Sequence, residues 1–163
     1  MILFLDFDGV VHPVKSDISK IFCHMEMLAD FLVHRAPDWS IVLSTSWREA
    51  HPMDELLDFI PESIHHRVIG TTVYDSHPGP RKMDPMLAER SLRQAQGLYY
   101  MQSRPAGEPW LFVDDDATLF DPGLEQLVLC DPRKGLTVET LDHLLVQYNL
   151  CYNSCTFQGS FEP

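Results

Sequence analysis

The sequence predicts a three-layer α/β fold around a central, mostly parallel five-stranded sheet. Short apolar runs alternate with longer segments of helical periodicity, which is the element order of strand–helix–strand units. The first and fourth runs are apolar almost throughout, as in strands buried on both faces of a sheet. A chain of 163 residues has the length of one domain, and 45% of apolar residues suffices for one core.

Five strands and four helices follow from this pattern. The predicted strands are Ile2–Asp6, Ser40–Ser44, Arg67–Val73, Trp110–Val113 and Gln126–Cys130. The predicted helices are His24–Arg35, Pro52–Ile60, Pro85–Gly97 and Val138–Tyr148. Asp84 suits the N-cap of the third helix, with Pro85 as its first residue, and Thr137 suits the N-cap of the fourth. Residues 74–83 and 101–109 contain Pro and Gly and are predicted loops.

These elements form a single predicted domain over residues 1–149. The tail, residues 150–163, has no periodicity, so we expect it to be mobile or to pack an aromatic side chain against the domain. The N-terminal segment lacks the basic residues of a signal peptide, and no apolar run reaches the roughly 18 residues of a membrane span. We therefore expect a cytoplasmic protein without membrane contact.

The cysteines and the net charge narrow the function classes. The four cysteines, Cys23, Cys130, Cys151 and Cys155, do not have the spacing of a metal site, so we expect reduced thiols. The alternative is that Cys151 and Cys155 form a disulfide or bind a metal ion. The net charge of −12 argues against an extended basic surface for nucleic acid. A small local basic pocket remains compatible with this charge.

Two carboxylates stand close together at the end of the first strand. The stretch LDFDG places Asp6 and Asp8 two residues apart, after an apolar run and before Gly9. A turn combined with a helix cap accounts for one of these aspartates but poorly for the pair. The pair therefore indicates a site that uses two carboxylates.

Two further strands end in polar residues at the same predicted edge. The second strand is followed by Ser44-Thr45-Ser46 and the fourth by Asp114-Asp115-Asp116. Ligands of parallel α/β sheets bind beyond the carboxyl ends of the strands, so we expect these groups to meet Asp6 and Asp8. Crowded carboxylates repel one another unless a cation lies among them, and an all-oxygen ligand set favours Mg²⁺.

Four motifs in this order resemble those of the haloacid dehalogenase (HAD) superfamily of aspartyl-nucleophile phosphohydrolases. They are LFLDFDGVVHP, IVLSTSW, GPRKMDP and LFVDDD, and they cover residues 2 to about 120. The later stretch DPRKGLTVETLDHLL is similar to the end of small capless members. The resemblance implies a Rossmann-like fold. Predicted elements fill the segments between the motifs, so we expect no large cap domain.

The resemblance also implies a role for each aspartate. Asp6 is expected to be the nucleophile that forms an aspartyl-phosphate, and Asp8 the general acid and then the general base. Gly9 would let the backbone turn closely around the phosphate. Mg²⁺ would be held by Asp6, the Asp8 carbonyl, Asp114 and Asp115, and would reduce the repulsion between two anions.

The phosphate-binding residues leave alternatives open. The second motif requires a hydroxyl group, and either Ser44 or Thr45 supplies it. The third requires a cation, for which Lys82 is the family-typical residue type and Arg81 the alternative.

Three further residues near the motifs are candidates for substrate contacts. Trp47 and Arg48 suit stacking on a base or pairing with a second phosphate, and His12 follows the first motif. The structural alternatives are that His12 caps a loop and that Trp47 anchors the next helix.

The predicted function is that of a Mg²⁺-dependent phosphomonoesterase. A capless site is open, which favours phosphorylated macromolecules such as nucleic-acid ends or phosphoproteins. The alternatives are a nucleic-acid-end or nucleotide phosphatase, a phosphotransferase, and a non-catalytic phosphate-binding module. The presence of both Asp6 and Asp8 favours an enzyme, and Asp8 favours water as the phosphoryl acceptor.

Overall fold

The fold is described by a computed structural model over residues 1–72 and 92–153. Its strands are β1 (Ile2–Leu5), β2 (Ser40–Leu43), β3 (Val68–Thr71), β4 (Trp110–Asp114) and β5 (Leu127–Leu129). They form one sheet in the order β3-β2-β1-β4-β5, and every pairing in it is parallel. This confirms the predicted Rossmann-like α/β fold.

Four α-helices accompany the sheet within the described residues. They are α1 (Met25–His34), α2 (Met53–Asp58), α3 (Leu92–Met101) and α4 (Val138–Asn153). Short 3₁₀ segments lie in the connections of the sheet and helices, at Ile18–Lys20, Ser46–Glu49, Glu62–Arg67 and Ala117–Leu119. Across these two ranges no cap domain is evident, and none of the helices is both long and apolar enough to span a bilayer.

Most predicted boundaries differ from the observed ones by one or two residues, but two helices end later than predicted. Helix α3 continues past Gly97 to Met101, and α4 continues into the predicted tail as far as Asn153. Tyr148 and Cys151 pack against the core at helical spacing, which explains why the last helix extends. The predicted N-cap Asp84, the start at Pro85, the loop 74–83 and residues 154–163 lie outside the described residues.

The sheet is buried on both faces. On β1, Leu3 and Leu5 face the larger core with α1 and α4, whereas Ile2 and Phe4 face a smaller aromatic core. The rings of Phe4 and Phe112 stack there, with centroids 4.6 Å apart. This two-sided burial explains why the first and fourth strands are apolar almost throughout.

Close packing at one glycine positions α3 over the sheet. A Cβ atom on Gly97 would overlap the ring of Phe112, so only glycine allows the helix to approach β4 this closely. Arg93 lies one turn before Gly97 and therefore on the same helix face. The approach brings Arg93 to the carboxyl edge of the sheet, where the predicted site lies.

Candidate active site

The first and fourth motifs meet at the carboxyl edge of the sheet. Leu5 pairs with Val113 in the sheet register, so Asp6, the residue after β1, lies beside Asp114, the last residue of β4. Both aspartates are buried, with 5% and 1% of their surface exposed. Carboxylate oxygens of Asp6, Asp114 and Asp115 all lie within 4.8 Å of one another. The predicted convergence of these three carboxylates is therefore observed.

An arginine from α3 lies between two of these carboxylates. The Arg93 Nη1 atom is 2.9 Å from Asp6 Oδ1 and 3.0 Å from Asp114 Oδ2. The same atom donates to the Ser44 carbonyl. Sequence reasoning missed this residue, because nothing in the local pattern shows which face of the third predicted helix reaches the strand ends. The predicted cations Arg81 and Lys82 lie outside the described residues.

Burial and crowding alter the protonation of this cluster. Burial raises the pKa of Asp6, and the Arg93 guanidinium opposes the rise. Burial, reinforced by the charge of Asp6, raises the pKa of Asp114 to about 7, again against the effect of Arg93. Burial also raises the pKa of the Asp115 carboxyl group. Arg93 alone therefore does not compensate the negative charge of the cluster.

The residues present fit a magnesium ion. Three ionised carboxylates and one guanidinium leave two negative charges, which a divalent cation would balance. The donor set consists of oxygen atoms within reach of one another, as a hard cation requires. The Asp8 side chain is not part of this set, and the predicted contact through its backbone carbonyl stays a prediction.

Position 9 requires glycine for two steric reasons. Its φ of +70° lies in the left-handed region, where a side chain is unfavourable. A Cβ atom there would also overlap the Asp115 carboxylate. Glycine therefore lets the loop after β1 lie directly against the group that completes the acidic cluster.

The two candidate hydroxyl groups have different surroundings. Both Ser44 and Thr45 are buried. A hydrogen bond from the Thr45 side chain to Asp6 is one of the factors that lower the pKa of that carboxyl group. Among the described residues, the buried Ser44 hydroxyl has no hydrogen-bond partner. Thr45 is thus the hydroxyl that interacts with the predicted nucleophile.

Asp8 lies on the open side of the site and meets two of the predicted substrate contacts. The Trp47 indole Nε1 donates to Asp8 Oδ2 over 2.8 Å. The His12 Nε2 atom lies 3.2 Å from Asp8 Oδ1. The structure thus brings His12 and Trp47 to the predicted acid.

Arg48, the third predicted substrate contact, is held by protein groups. Its guanidinium donates to the Thr45 carbonyl through Nη1 and to Gln96 Oε1 over 2.8 Å through Nη2. The bond to Gln96 connects the segment after β2 to α3. A contact of Arg48 with substrate stays a prediction.

Comparison with protein families identifies the fold family. The model described as "HAD domain in Swiss Army Knife RNA repair proteins" matches residues 2–141. The chain belongs to this family. The match confirms the predicted HAD superfamily membership and contains β1 to β5 with all described residues of the acidic cluster. Searches of curated proteins and of solved structures gave no match.

Membership in a HAD family points to phosphoesterase-type chemistry, and the family description names RNA repair proteins. The site of this HAD domain contains a buried carboxylate, a cation beside it and a second, more exposed carboxylate. Family membership therefore indicates a phosphatase-type hydrolase.

Proposed function

We propose that this HAD domain is a Mg²⁺-dependent phosphomonoesterase that acts through an aspartyl-phosphate on Asp6. The observation that carries the proposal is the pairing of Asp6 with Arg93 beside Asp114 and Asp115, while Asp8 stays half exposed two residues away. This arrangement provides a nucleophile in a cationic environment and a separate proton donor.

The proposed reaction has two half-reactions. In the first, an Asp6 carboxylate oxygen bonds to phosphorus, the bond from phosphorus to the leaving oxygen breaks, and Asp8 gives that oxygen its proton. In the second, Asp8 takes a proton from water as the water oxygen attacks phosphorus, which releases phosphate and restores Asp6. Mg²⁺ bound by Asp6, Asp114 and Asp115 would supply positive charge where two anions approach.

Arg93 and Thr45 have supporting roles in this proposal. Arg93 favours the ionised form of Asp6 and places positive charge beside the transferring phosphoryl group. Thr45 is favoured over Ser44 as the phosphate-binding hydroxyl because it already interacts with Asp6. Gly9 allows the close approach of the loop, and Lys82 or Arg81 remains a predicted additional cation.

A phosphorylated nucleic-acid end is the favoured substrate class. The family description, which refers to RNA repair, supports this choice. The net charge of −12 favours contact with a strand end over an extended nucleic-acid footprint. Phosphoryl transfer to an acceptor other than water would share the first half-reaction, but Asp8 favours hydrolysis. We place the enzyme in the cytoplasm, in keeping with the free thiols of Cys23, Cys130 and Cys151.

Phosphate release from a substrate panel tests the proposal. The panel contains an aryl phosphate, nucleotides, 3′- and 5′-phosphorylated oligonucleotides and phosphopeptides, each with Mg²⁺ and with EDTA. Asp6→Asn should lower turnover by at least about 10³-fold, because an amide cannot act as the nucleophile. The control is Asp30→Asn on α1, which changes the charge equally at an exposed position and should retain activity.

The outcomes separate the alternatives. Metal-dependent release that Asp6→Asn abolishes supports the phosphatase, and the best substrate identifies the class. Undiminished turnover by Asp6→Asn contradicts the proposed nucleophile. If the folded, Mg²⁺-binding protein releases no phosphate from any substrate, phosphotransfer or a binding role replaces hydrolysis.

A further inference from the structure

We infer that Trp47 is a positioning residue for Asp8, whose carboxyl group it holds in the orientation needed for proton transfer. The inference rests on the proposed function and adds a role for the indole N–H, which donates to Asp8 Oδ2 over 2.8 Å. His12 supplies the second contact, at 3.2 Å from Oδ1.

Asp8 requires such support because of where it lies. Its side chain is 49% exposed, whereas Asp6 and Asp114 are buried and paired with Arg93. A carboxyl group exposed to this extent would rotate freely if it had no partners. The two contacts from Trp47 and His12 fix both carboxyl oxygens and therefore restrict that rotation.

Trp47 is itself held rigidly by an aromatic cluster. Its ring makes edge contacts with Phe22 and Phe59, at centroid distances of 5.2 and 5.3 Å, and stacks on His51 at 5.7 Å. Its backbone N–H donates to Thr45 Oγ1 over 3.3 Å. The indole N–H therefore has a fixed direction, and a fixed donor can define the orientation of its acceptor.

The chemistry of the indole assigns the two Asp8 oxygens different tasks. An indole N–H donates and never accepts, so Oδ2 is the acceptor in both protonation states of Asp8. His12 Nε2 is a donor or an acceptor depending on its tautomer, so Oδ1 is the oxygen that we expect to carry the transferable proton. In the first half-reaction this proton moves to the leaving oxygen as the bond from that oxygen to phosphorus breaks, and Asp8 becomes a carboxylate.

The dependence of rate on the leaving group tests this role. An alkyl phosphate needs protonation of its leaving oxygen, whereas an aryl phosphate with an acidic phenol needs little. Trp47→Phe should lower kcat on the alkyl phosphate by about 10- to 100-fold and on the aryl phosphate by less than about 3-fold. Trp39→Phe, which replaces a buried indole between Phe31 and Tyr148, should leave the ratio of the two rates unchanged.

Combination with Asp8→Asn distinguishes positioning from a general structural effect. If Trp47 acts through Asp8, Trp47→Phe should change the residual rate of Asp8→Asn by less than about 2-fold. If Trp47→Phe does not fold, replacement of the Trp47 indole by benzothiophene removes the N–H and retains the ring shape. An unchanged ratio of the alkyl-phosphate rate to the aryl-phosphate rate overturns the inference about Trp47 but not the proposed function. The same holds if the losses of rate from Trp47→Phe and Asp8→Asn are additive in the double variant. Absence of phosphate release by the wild type from every substrate of the panel overturns the proposed function as well.

Discussion

The two sides of the site stabilise their carboxylates by different means. On the buried side, Asp6 and Asp114 share the Arg93 guanidinium. On the open side, Asp8 receives an indole N–H from Trp47 and keeps half of its side chain exposed. Charge pairing favours the ionised form of a carboxylate, which the proposed nucleophile Asp6 needs, whereas contact with water suits the proton transfer proposed for Asp8. Residues two positions apart thus have different surroundings, and these suit the different tasks proposed for them.

Among substitutions of the residues that surround these carboxylates, the largest expected effect comes from the removal of the Arg93 cation on the buried side. Arg93→Gln should lower kcat by about 10²- to 10³-fold, because the phosphoryl group and Asp6 lose their charged donor. The control is Arg104→Gln, which breaks an ion pair between Arg104 and Glu108 in the connection from α3 to β4. Steady-state kinetics with Mg²⁺ measures both variants. Equal losses in the two would contradict a role for Arg93 in the reaction.

A smaller loss of activity is expected from substitution of Gly9, in the loop after β1 that contacts the acidic cluster. Gly9→Ala should lower activity and Mg²⁺ affinity by about 10- to 100-fold, because its Cβ displaces the Asp115 carboxylate. Gly123→Ala has a similar φ, +80°, with no atom within 4 Å of the new Cβ. It should therefore cost only about 1 kcal/mol of the free energy of unfolding.

Calorimetric titration with Mg²⁺ measures the metal affinity of each variant, and chemical denaturation measures its free energy of unfolding. Gly9→Ala should combine weakened metal binding with lost stability, and Gly123→Ala should show the loss of stability alone. Mg²⁺ affinity of Gly9→Ala equal to that of the wild type would show that Asp115 does not contribute to the metal site.

The smallest effect is a pH dependence of stability on the buried side. The pKa of Asp114, about 7 in the folded state, lies above that of an unfolded aspartate. Its contribution to stability is therefore fully present below about pH 4 and is lost as the pH rises towards 7. The Asp114→Asn variant has no ionisable group at this position, so its stability does not fall in this way as the pH rises.

Thermal unfolding in EDTA between pH 5 and pH 8 measures the difference. The Tm of Asp114→Asn relative to the wild type should rise by about 3 to 6 °C over that range. Mg²⁺ should reduce the difference, since a bound cation stabilises the ionised wild-type cluster. Parallel Tm curves for the two proteins in EDTA would contradict a raised pKa of Asp114.

Local pattern was enough to predict the sheet and the acidic half of the site. Periodicity located the strands, and parallel strands bring their carboxyl ends to one edge, so Asp6 and Asp114 had to meet. Their approximate location did not depend on the packing of any particular helix. The predicted end of the last helix at Tyr148 was wrong, since contact of Cys151 with the core extends the helix.

The sequence by itself therefore determined the fold class, the family and the acidic cluster, because these depend on local periodicity and on the direction of the strands. The tertiary structure alone decided which side chains complete the site. Arg93 reaches Asp6 because Gly97 packs against Phe112, and Trp47 reaches Asp8 because surrounding rings hold its indole. Such contacts join residues far apart in the chain, and their geometry depends on packing that no local pattern records.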